Sequence, residues 1–527
     1  MTDLYRAGPL LASLRSEASL LSAAQRSLVC EQLSRTLSDY YVHLPIKQAA
    51  FTVDPVQQLN VLGQGFDPQD SDLDFLQQVL AIINGLRDRH TTLALPQPWT
   101  QRVAYLPLLI EQYWQDGLSA FLLSRRLYGF EDSAAIEGSR VTHWNGTPIE
   151  TYVRRVLAPQ SQGANPSAMQ TMAVANLTIR PLAYSLPPDE DWVQLDLIAP
   201  DGRPHQLRLD WKYFVEPPQA QANSLSAGAA MRLDVGLDVR LQQINRHVFQ
   251  MFAAHRTPLL ARADGVGLRW LGRLETGAWG IASTPTGEVG YVRLFSFEVS
   301  EVAQFLMQMA EVLATLPQDR LLLDIRNNPG GVIPAGEGLV QMLCPRPIEV
   351  APVTFRNTLA TRHFGQLADF APWRKSLDLM SVSAETYAQL FPLTDPALAP
   401  SYRYPGRTAL IVDAASYSTC DYVAADFKDN HVGLLIGTTA TTGAGGANVW
   451  SYDLLRQYVA ASGAAPLAEL PPGMQLNIAM RRAVRTGAAA GLPIENFGVP
   501  VDRQLPISRV DLLEDNIDLI CRAAALL

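Results

Sequence analysis

The 527-residue chain has few cysteines, no excess of basic residues and no long apolar run. Its four cysteines are widely scattered without a C-x-x-C pair, so neither a structural zinc site nor a disulfide framework is indicated. Unpaired thiols are typical of a reducing compartment. No apolar stretch approaches the roughly 18 residues that a membrane helix needs, and the N-terminus lacks the regions of a secretory signal. We therefore expect a soluble, cytoplasmic protein without a membrane partner.

The charge balance excludes a further class of partner. Lys and Arg total 42 while Asp and Glu total 51, which gives a formal net charge of −9. Because nucleic-acid binding requires a basic surface, we expect no nucleic-acid partner. The apolar share of 48% and the charged share of 18% are those of an ordinary folded protein. The length indicates roughly two to four domains.

Helical patterns dominate the N-terminal part of the chain. Leucines recur at spacings near three and four over residues 8–40. A second amphipathic helix is predicted over 71–88, where Ser71 can cap the first turn. Two prolines shortly afterwards end the pattern. We predict a helical N-terminal domain over 1–98.

Short strands separated by turn residues follow this part of the chain. Residues 137–149 read EGSRVTHWNGTPI, which indicates a strand, an Asn-Gly turn and the start of a helix. This order resembles the core of a PDZ domain, although another small β-rich domain with one Asn-Gly hairpin would give the same pattern. We predict a PDZ-like domain over 99–213, and a linker or insert over 214–285 that contains an amphipathic helix over 237–256.

Beyond residue 286, strands alternate with helices of about ten residues or more. A strand over 320–325 precedes a Gly-rich turn and a helix over 335–343, and a strand over 408–412 precedes a helix over 419–428. This alternation predicts βα units around a mostly parallel sheet. The predicted fold class is therefore α/β, with its largest domain over 286–527.

Ser418 lies on a turn between a predicted strand and the helix that begins at Thr419. Such a turn can expose the serine hydroxyl, and the helix N-terminus offers free N–H groups and the positive end of its dipole. This is the logic of a nucleophile elbow. A serine that only caps the helix would produce the same local pattern.

Residues 321–331 read LLLDIRNNPGG, a buried strand that runs into two consecutive glycines. Glycines permit backbone conformations that leave N–H groups exposed to an anion, so this turn could donate to a developing oxyanion. A tight turn that only connects the strand to the next helix is the structural alternative.

Together these two segments resemble the C-terminal processing, or tail-specific, protease family, because a Ser-x-x-Asp helix start follows Gly330 after 418 − 330 = 88 residues. The flanking sequences GYVRLFSF (290–297), DYVAADFKDNHVGLLIGTTA (421–440) and IENFGVPVD (494–502) are also similar to that family. The resemblance implies a serine endopeptidase with a catalytic core of the ClpP/crotonase type and with Ser418 as its nucleophile.

One departure from the family pattern is informative. Members with a Ser–Lys dyad carry the lysine about 25 residues after the serine, but the corresponding residue here is Gly443 and no lysine follows Lys428. A Ser–Lys mechanism through this segment is excluded. The sequence is more similar to the branch that contains the tricorn protease core and the chlamydial protease-like activity factor, which implies a Ser–His–Glu triad.

The motif LRDRHTTL (86–93) matches the L-x-D-x-H-T pattern of that branch and identifies His90, and PIENFGVP (493–500) identifies Glu495. The resemblance implies that Ser418 attacks, that His90 transfers the proton, and that Glu495 orients the imidazolium. A solvated loop histidine and a surface glutamate are the structural alternatives.

For the oxyanion hole we expect the backbone N–H of Thr419 together with that of Gly330 or Gly331. No metal and no cofactor is expected. The expected partner is an unfolded or extended polypeptide, which the PDZ-like domain would position by strand addition. A homodimer is implied by resemblance alone. A catalytically inactive peptide-binding protein and a peptide acyl-transferase (a ligase or cyclase) with the same triad are alternative functions.

Overall fold

A computed structural model describes residues 8–15, 21–67, 71–127, 129–185, 187–215, 265–394 and 400–527. The amphipathic helix predicted over 237–256 and most of the predicted insert lie outside the described residues. The described part contains helices and four β-sheets, which confirms the predicted α/β fold class.

The N-terminal part is helical, as predicted. Its helices are Leu11–Arg15, Ala23–Tyr40, Leu44–Phe51, Pro55–Gly65 and Asp72–Gly85. Ser22 begins the longest of them through a reciprocal capping box with Gln25, so the pattern over 8–40 contains two helices rather than one. Ser71 accepts a hydrogen bond from the N–H of Asp74, which confirms the predicted cap.

The next part is β-rich. Its strands are Arg102–Tyr105, Leu108–Gln115, Leu118–Arg126, Arg140–Trp144, Thr147–Pro148, Ile179–Pro181, Trp192–Ile198, Pro204–Asp210 and Lys212–Val215, and its helical segments are Ile149–Tyr152, Val153–Leu157, Ala158–Gln160 and Pro166–Ala175. Asn145 and Gly146 have φ values of 47° and 76°, so they close a two-residue hairpin at the predicted turn. The assignment of this part as PDZ-like stays a prediction.

Seven strands form the large sheet, in which the spatial order follows the order along the chain. They are Gly267–Leu274, Gly277–Thr284, Gly287–Leu294, Arg320–Asp324, Arg407–Val412, Leu434–Gly437 and Arg503–Gln504. The first two pairings are antiparallel and the other four are parallel, in agreement with the predicted βα units.

Both faces of the large sheet are covered. Leu321 and Leu323 pack into the main hydrophobic core, whereas Leu322 packs into a second cluster with Leu519 and Ile520 of the C-terminal helix. The helices that follow its strands are Val302–Thr315, Ile333–Leu343, Thr419–Asp429 and Ile517–Ala524. A strand that is buried on both faces consists of consecutive apolar residues, which is why the sequence LLLD (321–324) could be recognised as a strand.

The predicted start of this domain at residue 286 is wrong. Two strands that the sequence analysis assigned to the insert over 214–285, Gly267–Leu274 and Gly277–Thr284, belong to the large sheet. The first lies at the edge of the sheet, where half of its residues are exposed and none is buried, so it lacks the apolar alternation by which a strand is recognised.

A smaller sheet, which we term the bridging sheet, joins the N-terminal part of the chain to its C-terminal part. Its strands are Thr92–Ala94, Gln475–Ala483, Val353–Phe355 and Ala447–Ser451. Thr92 pairs with Asn477 in antiparallel register, and the N–H of Ala479 donates to Thr91 Oγ1 over 3.2 Å. The remaining helical segments are Leu359–Arg362, His363–Gln366, Ala368–Trp373, Arg374–Leu379, Tyr452–Ala461, Gly487–Ala489 and Arg509–Leu513.

All four cysteines are free. Among the residues that the structure describes, no helix combines the length and the apolarity that crossing a bilayer requires.

Two carboxyl groups are buried together between helices of the large domain. Glu337 lies on helix Ile333–Leu343 and Asp426 on helix Thr419–Asp429, and both are almost completely shielded from solvent. Burial raises the pKa of both groups well above the ordinary carboxyl range, and the charge of Asp426 raises that of Glu337 further. Asp426 Oδ1 accepts the N–H of Ala351 over 2.8 Å.

This pair predicts a specific pH dependence of stability. The folded chain keeps a proton that the unfolded chain releases above about pH 4, so the free energy of unfolding falls by up to about 1.4 kcal/mol per pH unit until the raised pKa is passed. The amide in Glu337→Gln is neutral without binding a proton, so the free energy of unfolding of this variant should fall less steeply with pH. Denaturant unfolding of the variant and the wild-type protein between pH 5 and pH 9 measures the difference. Equal slopes would show that the pair does not hold a proton.

Candidate active site

Ser418 lies between strand Arg407–Val412 and helix Thr419–Asp429, as the sequence predicted. Its φ of 60° and ψ of −119° are strained for a serine, a type of conformation that costs about 1–3 kcal/mol. The side chain makes no capping hydrogen bond, although the residue occupies the N-cap position. A role as a helix cap therefore does not explain the strained conformation of Ser418.

The Gly-rich turn packs directly against Ser418. Gly330 and Gly331 have φ values of 108° and 138°, which side chains rarely permit. A Cβ atom on Gly330 would lie 2.7 Å from Ser418 Cβ and 2.9 Å from the nitrogen of Thr419. The approach of this turn to the serine therefore requires glycine.

The three predicted oxyanion donors are not equivalent. The N–H of Gly330 donates to Asn328 Oδ1 over 2.9 Å, so it is already engaged. Within the described part of the chain, the N–H groups of Gly331 and Thr419 have no such acceptor. Thr419 Oγ1 donates to the carbonyl of Gly331 over 2.8 Å, which ties the two segments together.

His90 lies in the turn between helix Asp72–Gly85 and strand Thr92–Ala94 of the bridging sheet, and only 2% of it is exposed. Its ring stacks on Tyr417, the residue before Ser418, with 4.5 Å between ring centroids. The backbone N–H of His90 donates to Asp88 Oδ1 over 2.8 Å. The predicted histidine is thus a buried neighbour of the serine turn rather than a solvated loop residue.

Glu495 is fully buried and belongs to the same cluster. Asp88, His90 and Glu495 each contribute one oxygen or ring nitrogen, and these three atoms all lie within 4.8 Å of one another. Lys47 Nζ donates to Glu495 Oε1 over 2.5 Å. Burial raises the pKa of Glu495 to about 8, although the charge of Lys47 opposes this increase.

Part of the chain is similar in sequence to a peptidase family, and most of it is similar in fold to solved structures. Residues 288–460 match the family model described as Peptidase family S41. The chain therefore carries a peptidase family S41 domain. This domain identifies a serine-type peptidase, which confirms the predicted class of enzyme. No curated protein sequence is significantly similar to the chain.

Solved structures of CPAF share the fold of most of the chain. Mature CPAF is 17% identical over 95% of this chain and 96% of its own, with a TM-score of 0.67. Mature CPAF in complex with lactacystin is 18% identical over 95% and 97%, with a TM-score of 0.66. A mutant of CPAF is 17% identical over 96% and 98%, with a TM-score of 0.69. At this level of identity the likeness concerns the fold alone.

Sequence reasoning missed several residues that surround His90. Asp88 was visible in the L-x-D-x-H-T pattern but received no role. Its carboxylate accepts the hydroxyl of Tyr41 over 2.8 Å through Oδ2. Burial raises the pKa of the Asp88 carboxyl, but Lys47 and then the nearby histidines outweigh this effect and hold the pKa below the ordinary value. No sequence signal pointed to Lys47.

The three donor atoms of Asp88, His90 and Glu495 are close enough to suggest a cation site. A cation is already present, however, because the ammonium of Lys47 binds Glu495. Both oxygens of Asp88 also accept hydrogen bonds, from Tyr41 and from the His90 backbone. The donor set therefore fits a charge-compensated proton-transfer site better than a divalent metal.

Asp421 stabilises the loop in which a Ser–Lys enzyme would carry its lysine. Its carboxylate accepts hydrogen bonds from Thr442 Oγ1 over 2.5 Å, from the N–H of Ala444 over 3.1 Å and from that of Gly445 over 2.8 Å. Burial raises the pKa of Asp421 to about 6.

The same loop packs under the ring of Tyr417. A Cβ atom on Gly443 would lie 2.8 Å from Tyr417 Cδ2, and one on Gly445 would lie 2.3 Å from Tyr417 Cζ. A lysine at residue 443 would therefore collide with the aromatic ring on which His90 stacks. The S41 domain thus excludes the Ser–Lys arrangement sterically as well as by sequence.

Gly330→Ala should disable the site. The added methyl group must displace Ser418 or Thr419, and a shift of about 1 Å can cost on the order of 100-fold in rate. We expect at least about a 100-fold loss of kcat/KM on an unfolded protein substrate. Gly117→Ala is a matched control, because Gly117 also has a positive φ of 78° but has no atom within 4 Å of the new methyl group. Wild-type kcat/KM in a folded Gly330→Ala variant would contradict the assignment.

Proposed function

We propose that the chain is an endopeptidase that hydrolyses unfolded or extended polypeptides through Ser418, His90 and Glu495. The observation that carries the proposal is the stacking of His90 on Tyr417, next to Ser418, while His90 also lies within 4.8 Å of the Glu495 carboxylate. The imidazole and the carboxylate thus belong to one buried cluster, and the hydroxyl is carried by the residue that follows the ring on which the imidazole stacks. These are the groups of a Ser–His–acid triad.

In the first half of the reaction, Ser418 Oγ attacks the carbonyl carbon of the scissile bond, and His90 takes the hydroxyl proton. The resulting tetrahedral intermediate collapses as His90 gives that proton to the leaving amine and the C–N bond breaks. In the second half, His90 takes a proton from the water that attacks the acyl-enzyme, and then gives it to Ser418 Oγ as the ester C–O bond breaks and the carboxylic acid product leaves. Glu495 stabilises the imidazolium in both halves.

The negative charge on the carbonyl oxygen requires donors that are already in place. The backbone N–H groups of Gly331 and Thr419 support this role, because neither donates to another acceptor within the described residues. Thr419 also opens helix Thr419–Asp429, where the positive end of the dipole favours an anion. Removal of one such donor typically costs on the order of 3 kcal/mol of transition-state stabilisation.

The burial of the site supports an unfolded or extended substrate. Ser418 is fully buried and His90 is 2% exposed, so a narrow, extended chain needs less rearrangement of the site to reach the hydroxyl than a rigid folded protein does. An extended chain is narrow and presents its carbonyl groups to a strand edge or a turn. The predicted PDZ-like domain would position such a chain by strand addition.

A serine-directed phosphonate tests the nucleophile. We expect stoichiometric labelling of the wild-type protein, none of Ser418→Ala, and slow labelling of His90→Ala, because the hydroxyl is a weak nucleophile without its base. Casein-like unfolded substrate should be cleaved roughly 10⁴-fold or more slowly by both variants. His205→Ala, which changes a histidine of the β-rich part, should behave as wild type. Labelling of folded Ser418→Ala would refute the assignment.

Product analysis separates the remaining functions. Hydrolysis gives free carboxylates even when an added amine nucleophile competes with water, whereas an acyl-transferase gives amide products. A well-folded wild-type protein that neither reacts with the phosphonate nor cleaves casein would support the peptide-binding alternative.

The buried carboxyl predicts the pH dependence of the reaction. Only ionised Glu495 stabilises the imidazolium, and this carboxyl is protonated below its pKa, which burial raises to about 8. We therefore expect kcat/KM to rise with pH, with a midpoint near 8 and a slope of one. Glu495→Gln should lose most activity and this rise, whereas the exposed control Glu150→Gln should keep both. The same rise in Glu495→Gln would assign it to another group.

A further inference from the structure

Lys47 is one of four lysines in the chain, and its side chain is fully buried. It lies on the short helix Leu44–Phe51. Its ammonium donates to three oxygens: the carbonyl of Arg87 over 3.0 Å, Glu495 Oε1 over 2.5 Å and Asn496 Oδ1 over 2.6 Å. A buried ammonium is expensive unless its protons are all bound, and here all three are.

These three acceptors belong to two different segments. Arg87 has a positive φ of 51° and begins the turn that carries His90, whereas Asn496 has a φ of 70° and follows Glu495. One ammonium therefore ties the histidine-bearing turn to the glutamate-bearing turn, each at a backbone conformation that ordinary side chains disfavour.

We propose that Lys47 is a positioning residue of the site, which holds the Glu495 carboxyl in place against His90 and favours its ionised form. This inference rests on the proposed triad and adds a fourth side chain to it. Lys47 touches neither the substrate nor the reacting atoms. It acts through Glu495.

The charges that face Glu495 explain why a lysine is needed. His43 and Lys47 face it from the N-terminal helices, and Asp88 and His90 from the turn. Burial, and then the charge of Asp88, raise the pKa of Glu495, whereas Lys47 lowers it. Burial lowers the pKa of His43 to about 3, so this imidazole is neutral near pH 7. Lys47 therefore supplies the permanent positive charge.

The test is the pH profile of kcat/KM for Lys47→Met, which keeps the length of the side chain and removes its charge. We expect the rise of kcat/KM to move upward by at least about one pH unit, and therefore about a 10-fold loss of activity at pH 7 that is partly recovered at high pH. The exposed control Lys375→Met should keep the wild-type profile. A purely structural lysine would lower activity at all pH values without moving the profile.

A double variant keeps the test decisive if Lys47→Met folds poorly. Lys47→Met/Glu495→Gln contains neither buried charge, and we expect its kcat/KM to equal that of Glu495→Gln within a factor of about 3. A further loss of 10-fold or more would show that Lys47 acts independently of Glu495 and would overturn the proposal, as would an unshifted profile in folded Lys47→Met. If Ser418→Ala retains phosphonate labelling, the triad itself is wrong, which is a separate result.

Discussion

The antiparallel pairing of Thr92–Ala94 with Gln475–Ala483 determines where His90 lies. The histidine comes from the helical N-terminal part, and its turn would otherwise project from the end of a helix with nothing to orient it. Because the strand after the turn is part of the bridging sheet, the imidazole is held against Tyr417 beside Ser418. The proposed triad therefore depends on a β-ladder that joins the beginning of the chain to its C-terminal part.

Tyr417 connects the remaining parts of the site. His90 stacks on its ring, and the guanidinium of Arg89 lies 4.1 Å from the ring centroid. On another side the ring packs on the glycine loop that Asp421 holds. A single aromatic residue next to Ser418 thus contacts both His90 and the loop that Asp421 holds. Interiors packed this closely transmit small displacements, so substitutions in the loop are felt at the serine.

Local signals in the sequence predicted the parts of the site that are local in the structure. The strand, turn and helix around Ser418 and the paired glycines at 330–331 each depend on neighbouring residues, and apolar runs and glycines mark them. The edge strand Gly267–Leu274 escaped prediction because half-exposed strands carry little apolar alternation. The sequence also did not predict that the N–H of Gly330 donates to Asn328, because this hydrogen bond depends on the orientation of one side chain.

Lys47 illustrates the limit of such reasoning more sharply. Its partner Glu495 is 448 residues away, and nothing in the sequence of a short helix distinguishes a buried lysine from a solvated one. The resemblance to a protease branch identified His90 and Glu495 because motifs surround them. The role of a residue outside any motif, such as Lys47, can be inferred only when the structure shows its hydrogen bonds.

The bridging sheet also bears on how the protein is made. A ribosome delivers residue 90 long before residues 475–495, and domains fold as their sequences emerge. The imidazole of His90 and the carboxylate of Glu495 cannot meet until residues 475–495 have left the exit tunnel. Under the proposed triad, a nascent chain that ends before residue 475 contains Ser418 without correctly placed partners and has no proteolytic capacity.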